Sequence, residues 1–383
     1  MRRLILTSML CCAQVAFSQL RVSGQASAGF VKANNGYSQY SFNAGRGSFV
    51  WRWDLFADAP VSDHLTFLSN FRMLQDQIPH IDLFALRMSD IASSGVSVQI
   101  GQIDIPFGNL GERRFPKENP FFGLPLMNEH VTSLCASDYD LWIFFPSYAI
   151  AGDGVCLLDQ GLYDLGVKAY GSVGIFDFAA VLINGMVSTT GTYSPQGLNS
   201  NGGYGKIFRL AATPFTGLTL GASYAYGPFM KNESDDSSSA LFLRSADDYP
   251  QQAIAGDVDF SIEHFSLYGI ALINSWKYVH NLDLKAFSYS VETRYALTPR
   301  ITVAVRGGGV NFGTINATVL NTRYIPSPYS GKWDHDLFRL EGAVGYRLDR
   351  QLLLKVCYQI NKTYGVPVDP VDNVLAVQTV LSF

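Results

Sequence analysis

The chain has 383 residues, of which 16% are charged, 13% aromatic and 48% hydrophobic, with a formal net charge of −4. Soluble proteins carry roughly 25% charged residues, so this chain is too poor in charge for a full polar coat, and nothing in its acidic balance calls for nucleic acid. A membrane-spanning helix is excluded as well: the best apolar run, 141–158, is cut by Pro146, Gly152, Asp153 and Gly154, and falls short of the ~20 apolar residues needed. Low charge without long apolar runs suits a membrane β-barrel, where only every second residue meets lipid.

At the N-terminus Arg2 and Arg3 precede an apolar stretch from Leu4 to Phe17, and Ala16-Phe17-Ser18 offers a peptidase site. This pattern predicts a signal peptide over 1–18 and a mature barrel over 19–383. Cys11 and Cys12 do not make a lipobox, because Ser8 and Met9 stand where Leu is preferred.

From residue 20 onward the chain alternates with a period of two. The first strand sets Leu20, Val22 and Phe30 against Arg21, Ser23 and Gln25; the second sets Phe49, Trp51 and Trp53 against Arg52 and Asp54. Such alternation makes a strand with one greasy and one polar face. A third strand follows over 65–73, and 81–88 and 96–105 are strands whose inward faces the pattern leaves ambiguous. After a long gap the alternation resumes at Leu165, Val167 and Ala169 and continues through two strands flanking Thr213-Pro214-Phe215-Thr216-Gly217. Six more strands run over 254–262, 265–274, 287–295, 301–305, 338–346 and 352–360. The last strand places Leu375, Val377, Thr379, Leu381 and Phe383 on one face. The count is about sixteen. Connections after even-numbered strands are short, such as Glu263-His264, and those after odd-numbered strands are mostly long and polar, such as 231–252 and 312–334. Short turns at one rim and long loops at the other predict an all-β, antiparallel up-and-down transmembrane barrel with both termini on the periplasmic side.

A free C-terminal Phe383 on an alternating strand resembles the signal by which the barrel assembly machinery recognises bacterial outer-membrane barrels. With the signal peptide and even strand count, nearly the whole mature chain resembles the general porin superfamily. The resemblance implies a bacterial outer-membrane location, contact with outer-membrane lipids, a homotrimer, and a third external loop folded into the lumen. The connection in that position, 106–162, is the longest. It holds Phe107, Phe115, Phe121, Phe122, Trp142, Phe144, Phe145 and Tyr148, too apolar for a solvated coil. Glu112, Arg113, Arg114, Lys117 and Glu118 are its candidates for the aqueous path; the competing reading is an external cap packed on its own side chains.

Arg or Lys facing lipid at mid-membrane is destabilising by about 2–4 kcal/mol, which turns the charged strand positions inward. Arg52, Asp54, Arg72, Lys168, Glu292, Arg294, Arg306, Arg339, Glu341 and Lys355 are therefore expected to line the pore. Outward Trp51, Trp53, Tyr224, Tyr226, Tyr295 and Tyr346 suit the aromatic girdles. In an oxidising compartment Cys135 and Cys156 either close a disulfide or stay free. No catalytic or metal motif stands out, Trp333-Asp334-His335-Asp336 being read as a surface loop. The expectation is a non-enzymatic channel without cofactor, passing small hydrophilic solutes or ions. The alternatives are a selective transporter for hydrophobic or oligomeric cargo and a plugged structural or adhesive barrel.

Overall fold

The computed structural model describes residues 20–34, 47–75, 79–135, 154–159, 162–188, 203–229, 248–278, 282–320, 326–365 and 373–383. The expected signal peptide, and with it Trp142, Phe144, Phe145 and Tyr148, lies outside the described residues. In chain order the strands are β1 (Arg21–Ala33), β2 (Gly47–Ser62), β3 (Leu65–Leu74), β4 (His80–Met88), β5 (Val96–Asp104), β6 (Val131–Cys135) and β7 (Gly154–Cys156). They continue with β8 (Tyr163–Val173), β9 (Phe176–Ile183), β10 (Gly205–Phe215), β11 (Leu218–Pro228), β12 (Pro250–Ile262), β13 (Phe265–Tyr278), β14 (Leu282–Ala296) and β15 (Ile301–Phe312). The remainder are β16 (Thr314–Leu320), β17 (Pro326–Lys332), β18 (Leu337–Arg347), β19 (Leu352–Thr363) and β20 (Val374–Ser382).

Sixteen of these close into one antiparallel barrel; β6–β7 and β16–β17 form separate two-stranded ladders. Closure runs through β1 and β20, which pair from Gln25 opposite Ser382 to Ala33 opposite Val374. Phe383 extends this seam by one reciprocal pair: Gly24 N–H donates to the Phe383 carbonyl at 2.9 Å, and Phe383 N–H to the Gly24 carbonyl at 3.0 Å. Gly24 suits that position, since a Cβ would meet the Asp54 carbonyl at 2.9 Å as well as the tip of the Phe383 ring at 2.6 Å.

The alternation sorts the two faces as expected. Val22, Phe49, Trp51, Phe208, Leu210, Ile254, Val344 and Tyr358 are exposed on the outside, while Gln25, Asp54, Gln99, Lys168 and Gln359 are buried on the inside. A continuous apolar exterior on a closed barrel is a surface that lipid covers, because only a structure with every backbone group paired survives in hydrocarbon.

The two ambiguous strands owe their ambiguity to a bulge. Asn70 pairs with Leu83 but Phe71 with Ile81, leaving Asp82 extra, so Ile81 and Phe84 both point outward, three residues apart, while Asp82 and Ala85 are buried. A bulge shifts the two-residue period by one. On the partner strand Gly101 has φ +127, and a Cβ there would meet the Phe84 carbonyl at 2.4 Å. The connection 312–334, read as a polar loop, is instead the β16–β17 hairpin followed by a fully buried Trp333.

Leu210→Arg, on the lipid face of β10, is expected to lower unfolding free energy by about 2–4 kcal/mol if it sits at mid-membrane, read by denaturant titration in lipid vesicles.

Candidate functional site

The barrel wall leaves β5 at Asp104 and returns as β8 at Tyr163, and the described part of the intervening loop, 105–135 and 154–159, lies inside. Pro and Gly punctuate it: among the described residues, apart from β6, β7 and single helical turns such as α1 (Leu126–Glu129), it runs as irregular backbone. Irregular backbone needs outside partners for its carbonyls and amides. The wall supplies them.

The loop makes a circuit of the inner wall. Gly108 N–H donates to Ser223 Oγ of β11 at 3.1 Å. Asn109 Nδ2 and Arg113 Nη1 both donate to Asp259 Oδ2 of β12, at 3.3 and 3.0 Å, and the Arg113 guanidinium lies 4.3 Å from the Tyr268 ring centre. The chain then crosses to the opposite side. Arg52 Nη1 of β2 donates to the Arg114 carbonyl at 3.3 Å, and Lys117 N–H donates to Gln25 Oε1 of β1 at 2.9 Å. Lys355 Nζ of β19 donates to the carbonyls of Pro116, Asn119 and Phe121 at 2.9, 3.0 and 3.1 Å.

Arg306 of β15 holds the next turn, donating through Nη2 to the carbonyls of Gly123 and Leu124 at 2.8 and 3.1 Å. Its Nε reaches Glu341 at 2.5 Å, its Nη1 lies 3.7 Å from Glu292, and the Phe121 ring sits beneath it. Arg339 of β18 ion-pairs with Glu129 of α1. The far limb is tied by Asn274 of β13, whose Nδ2 donates to the Leu157 carbonyl at 2.8 Å.

Apolar packing completes the seating. Phe107, Leu110, Met127, Leu134, Leu157 and Leu158 of the loop share a buried core with inward side chains of β9 to β15, including Ile207, Leu272, Trp276 and Phe312. Phe121 and Phe122 pack with Val31, Ala343, Val374 and Ala376 on the other arc. Against the external-cap reading, Phe107 and Phe121 are buried against the barrel's own inner face, where hydrophobic burial favours them.

The residues expected to line the pore thus divide. Arg306, Arg339 and Lys355 are nearly fully buried and are occupied in holding the loop. Asp54 is buried under Arg52, at 2.8 Å. Arg72 pairs with Asp82 at 3.1 Å, and Lys168 with Asp104 at 2.5 Å. Glu112 and Lys117 are exposed within the lumen, and Arg114, Glu118 and Arg294 half-buried. The Arg113–Asp259 pair retains 24% and 25% side-chain exposure, so water reaches it. Sequence reasoning passed over Arg209, which forks onto Asp257 at 2.6 and 2.8 Å; the alternation of outward Phe208 and Leu210 around it was the available signal. It also passed over Glu129, whose role depends on where the loop lies and leaves no mark in the sequence.

Of the two outcomes left open for Cys135 and Cys156, Cys156 shows the free one. Backbone register sets Cys156 opposite Val131 and Cys135 opposite Gly154, and Cys156 is a free, buried thiol. Burial, with Asp159 and Glu129 nearby, pushes that thiol up to about 12, so it stays protonated and unreactive at neutral pH. Trp333-Asp334 is likewise no surface site: both residues are buried, Trp333 Nε1 donates to the Lys285 carbonyl at 2.7 Å, and Asp334 lies 3.5 Å from His130 of the loop.

The same architecture recurs among solved structures. The anion-selective porin from Comamonas acidovorans matches with a TM-score of 0.59 at 10% identity, over 95% of this chain and 99% of that one. The outer membrane channel DcaP of Acinetobacter baumannii gives a TM-score of 0.57 at 10% identity, covering 95% and 97%. By fold, the chain is a closed sixteen-strand antiparallel barrel like those of these outer-membrane proteins. OmpT, an outer membrane protein of Vibrio cholerae, matches in its trimer form with a TM-score of 0.55 at 10% identity, over 95% of this porin-like chain and 99% of its own. No protein family matches the sequence, and no curated protein does.

Two outcomes check the docking. Lys355→Met should strip three buried carbonyls of their donor, destabilise the seated loop by about 1–3 kcal/mol and expose 106–135 to protease while the barrel stays folded. In a Cys135→Ser background, a maleimide at pH 8 should leave Cys156 unlabelled until denaturant is added; rapid labelling of the native protein would contradict its burial.

Proposed function

We propose that this barrel is a diffusion channel for small hydrophilic solutes, narrowed by the internal loop, without cofactor and without chemistry of its own. One observation carries the reading: the loop is anchored around the inner wall, yet leaves exposed charges, Glu112 and Lys117, and the half-exposed pair Arg113–Asp259 inside the lumen. Charges held in a buried, dry space would be neutralised or fully paired. Exposed ones at the centre of a barrel mark a hydrated path whose width and field sort solutes. The wall charges contribute that field mostly indirectly, by fixing the loop.

Signal cleavage after Ser18, recognition of Phe383 during assembly and association into trimers belong to the same proposal. The resemblance to porins supports the last, and the ring of Phe383, exposed at the seam's edge, is accessible to an assembly factor. A second reading, a plugged barrel, is favoured by the apolar core that Phe107, Met127, Trp276 and Trp333 build inside the lumen.

Conductance in a planar bilayer separates the two. Stable ohmic steps are expected, and removal of 112–118 should enlarge them at least about twofold, as expected when a pore's narrowest segment is widened. A folded, silent protein would support the plug instead.

A further inference from the structure

The loop and the wall enclose a second feature that the constriction does not use. At the rim that carries the chain's C-terminus, a cavity of about 80 Å³ opens between the loop turn at Lys117–Pro120 and the inner face of β14, β15 and β18 to β20. Its floor is made of small residues, Ala343 and Gly345, with Gly345 in register with Thr302 on one side and Lys355 on the other. Small floor residues leave the space; long basic ones surround it.

Six cations line this cavity. Arg294, Arg347 and Lys355 come from the wall, Arg300 and Arg350 from the turns, and Lys117 from the loop. Only Glu118 and Asp349 oppose them, a formal excess of four positive charges in a chain whose net charge is −4. Among the described residues none of these six cations forms an ion pair with a carboxylate, in contrast to Arg52, Arg72, Arg113, Lys168, Arg209, Arg306 and Arg339. Lys355 is 2% exposed and its three donors are taken by loop carbonyls, so the exposed arginines and Lys117 are the cations open to an anion. The concentration is local: the other arc of the same rim carries exposed Asp63, Asp90 and Glu263.

We propose that this cavity is an oxyanion-binding subsite at the periplasmic mouth, taking a small multivalent anion of the phosphate class. Guanidinium forks match tetrahedral oxyanions and bind them through charge-assisted hydrogen bonds. The volume admits an anion or a terminal phosphoryl group. The lining faces the lumen, which excludes the headgroup of a bilayer lipid as its occupant. In transit the subsite would concentrate anions at the channel's inner end, and that role rests on the channel reading above; binding itself does not.

Inorganic phosphate is the probe. The folded barrel in detergent, titrated calorimetrically at low ionic strength, should bind about one phosphate per chain, and Arg300→Ser/Arg347→Ser should bind it about tenfold more weakly, the scale of losing charged hydrogen bonds. Both side chains are exposed, Arg300 at a turn and Arg347 at the end of β18, and heat-modifiable gel mobility confirms that the variant is folded. Lys117→Ser, on the loop side, should weaken binding by a smaller factor and serves if the double variant fails to fold. In bilayers, phosphate on the periplasmic side should reduce chloride current through the wild type and leave the double variant's current unchanged. Wild-type protein that takes up no phosphate, or variants with unaltered affinity, would overturn the subsite. A barrel that binds phosphate but passes no current would keep the subsite and overturn the channel.

Discussion

In hydrocarbon a backbone amide has no water to turn to, and every other feature of this molecule follows from that constraint. Sixteen strands satisfy one another only if the last pairs with the first, and here the seam is completed by the final residue, Phe383, bonding reciprocally to Gly24. Closure forces one face of every strand towards lipid and the other towards an enclosed lumen. An enclosed lumen in turn creates the problem that the long loop answers, namely how to fill most of a wide interior without burying unpaired polar groups.

The loop answers it by borrowing donors from the wall. Lys355 and Arg306 direct five hydrogen bonds at carbonyls of residues 116–124, and Asp259 accepts from two loop side chains across the barrel. Buried cations are costly unless paired. Arg306 meets that cost with Glu341 and Glu292, whereas Lys355 has only carbonyl dipoles. The result is an interior divided by chemistry: an apolar core under β9 to β15, a hydrated charged gap around Arg113 and Asp259, and a basic cavity near the terminal seam.

Much of this was legible in the sequence. Lys355 lies between outward Leu354 and Val356, and Arg306 follows outward Val305, so both were placed inside by alternation alone. The loop's limits at 106 and 162 were equally clear, since the pattern stops and restarts there. Alternation failed at Ile81 to Phe84 because an extra residue in a strand is indistinguishable from a change of face until its partner's register is known. Cys135 and Cys156 stayed open for a related reason: their spacing in the chain does not show that the β6–β7 ladder sets each opposite another residue.

The sequence by itself therefore determined the approximate strand count, the inward and outward faces of every strand but the fourth and fifth, the rim asymmetry and the existence of a large apolar insert, all of which are local periodicities read against lipid. Only the tertiary structure decided what the inward charges do. Whether an arginine lines water, clamps a carbonyl or joins a cationic cavity depends on which backbone arrives opposite it from up to 239 residues away, as Pro116 does for Lys355, and no local pattern encodes that meeting.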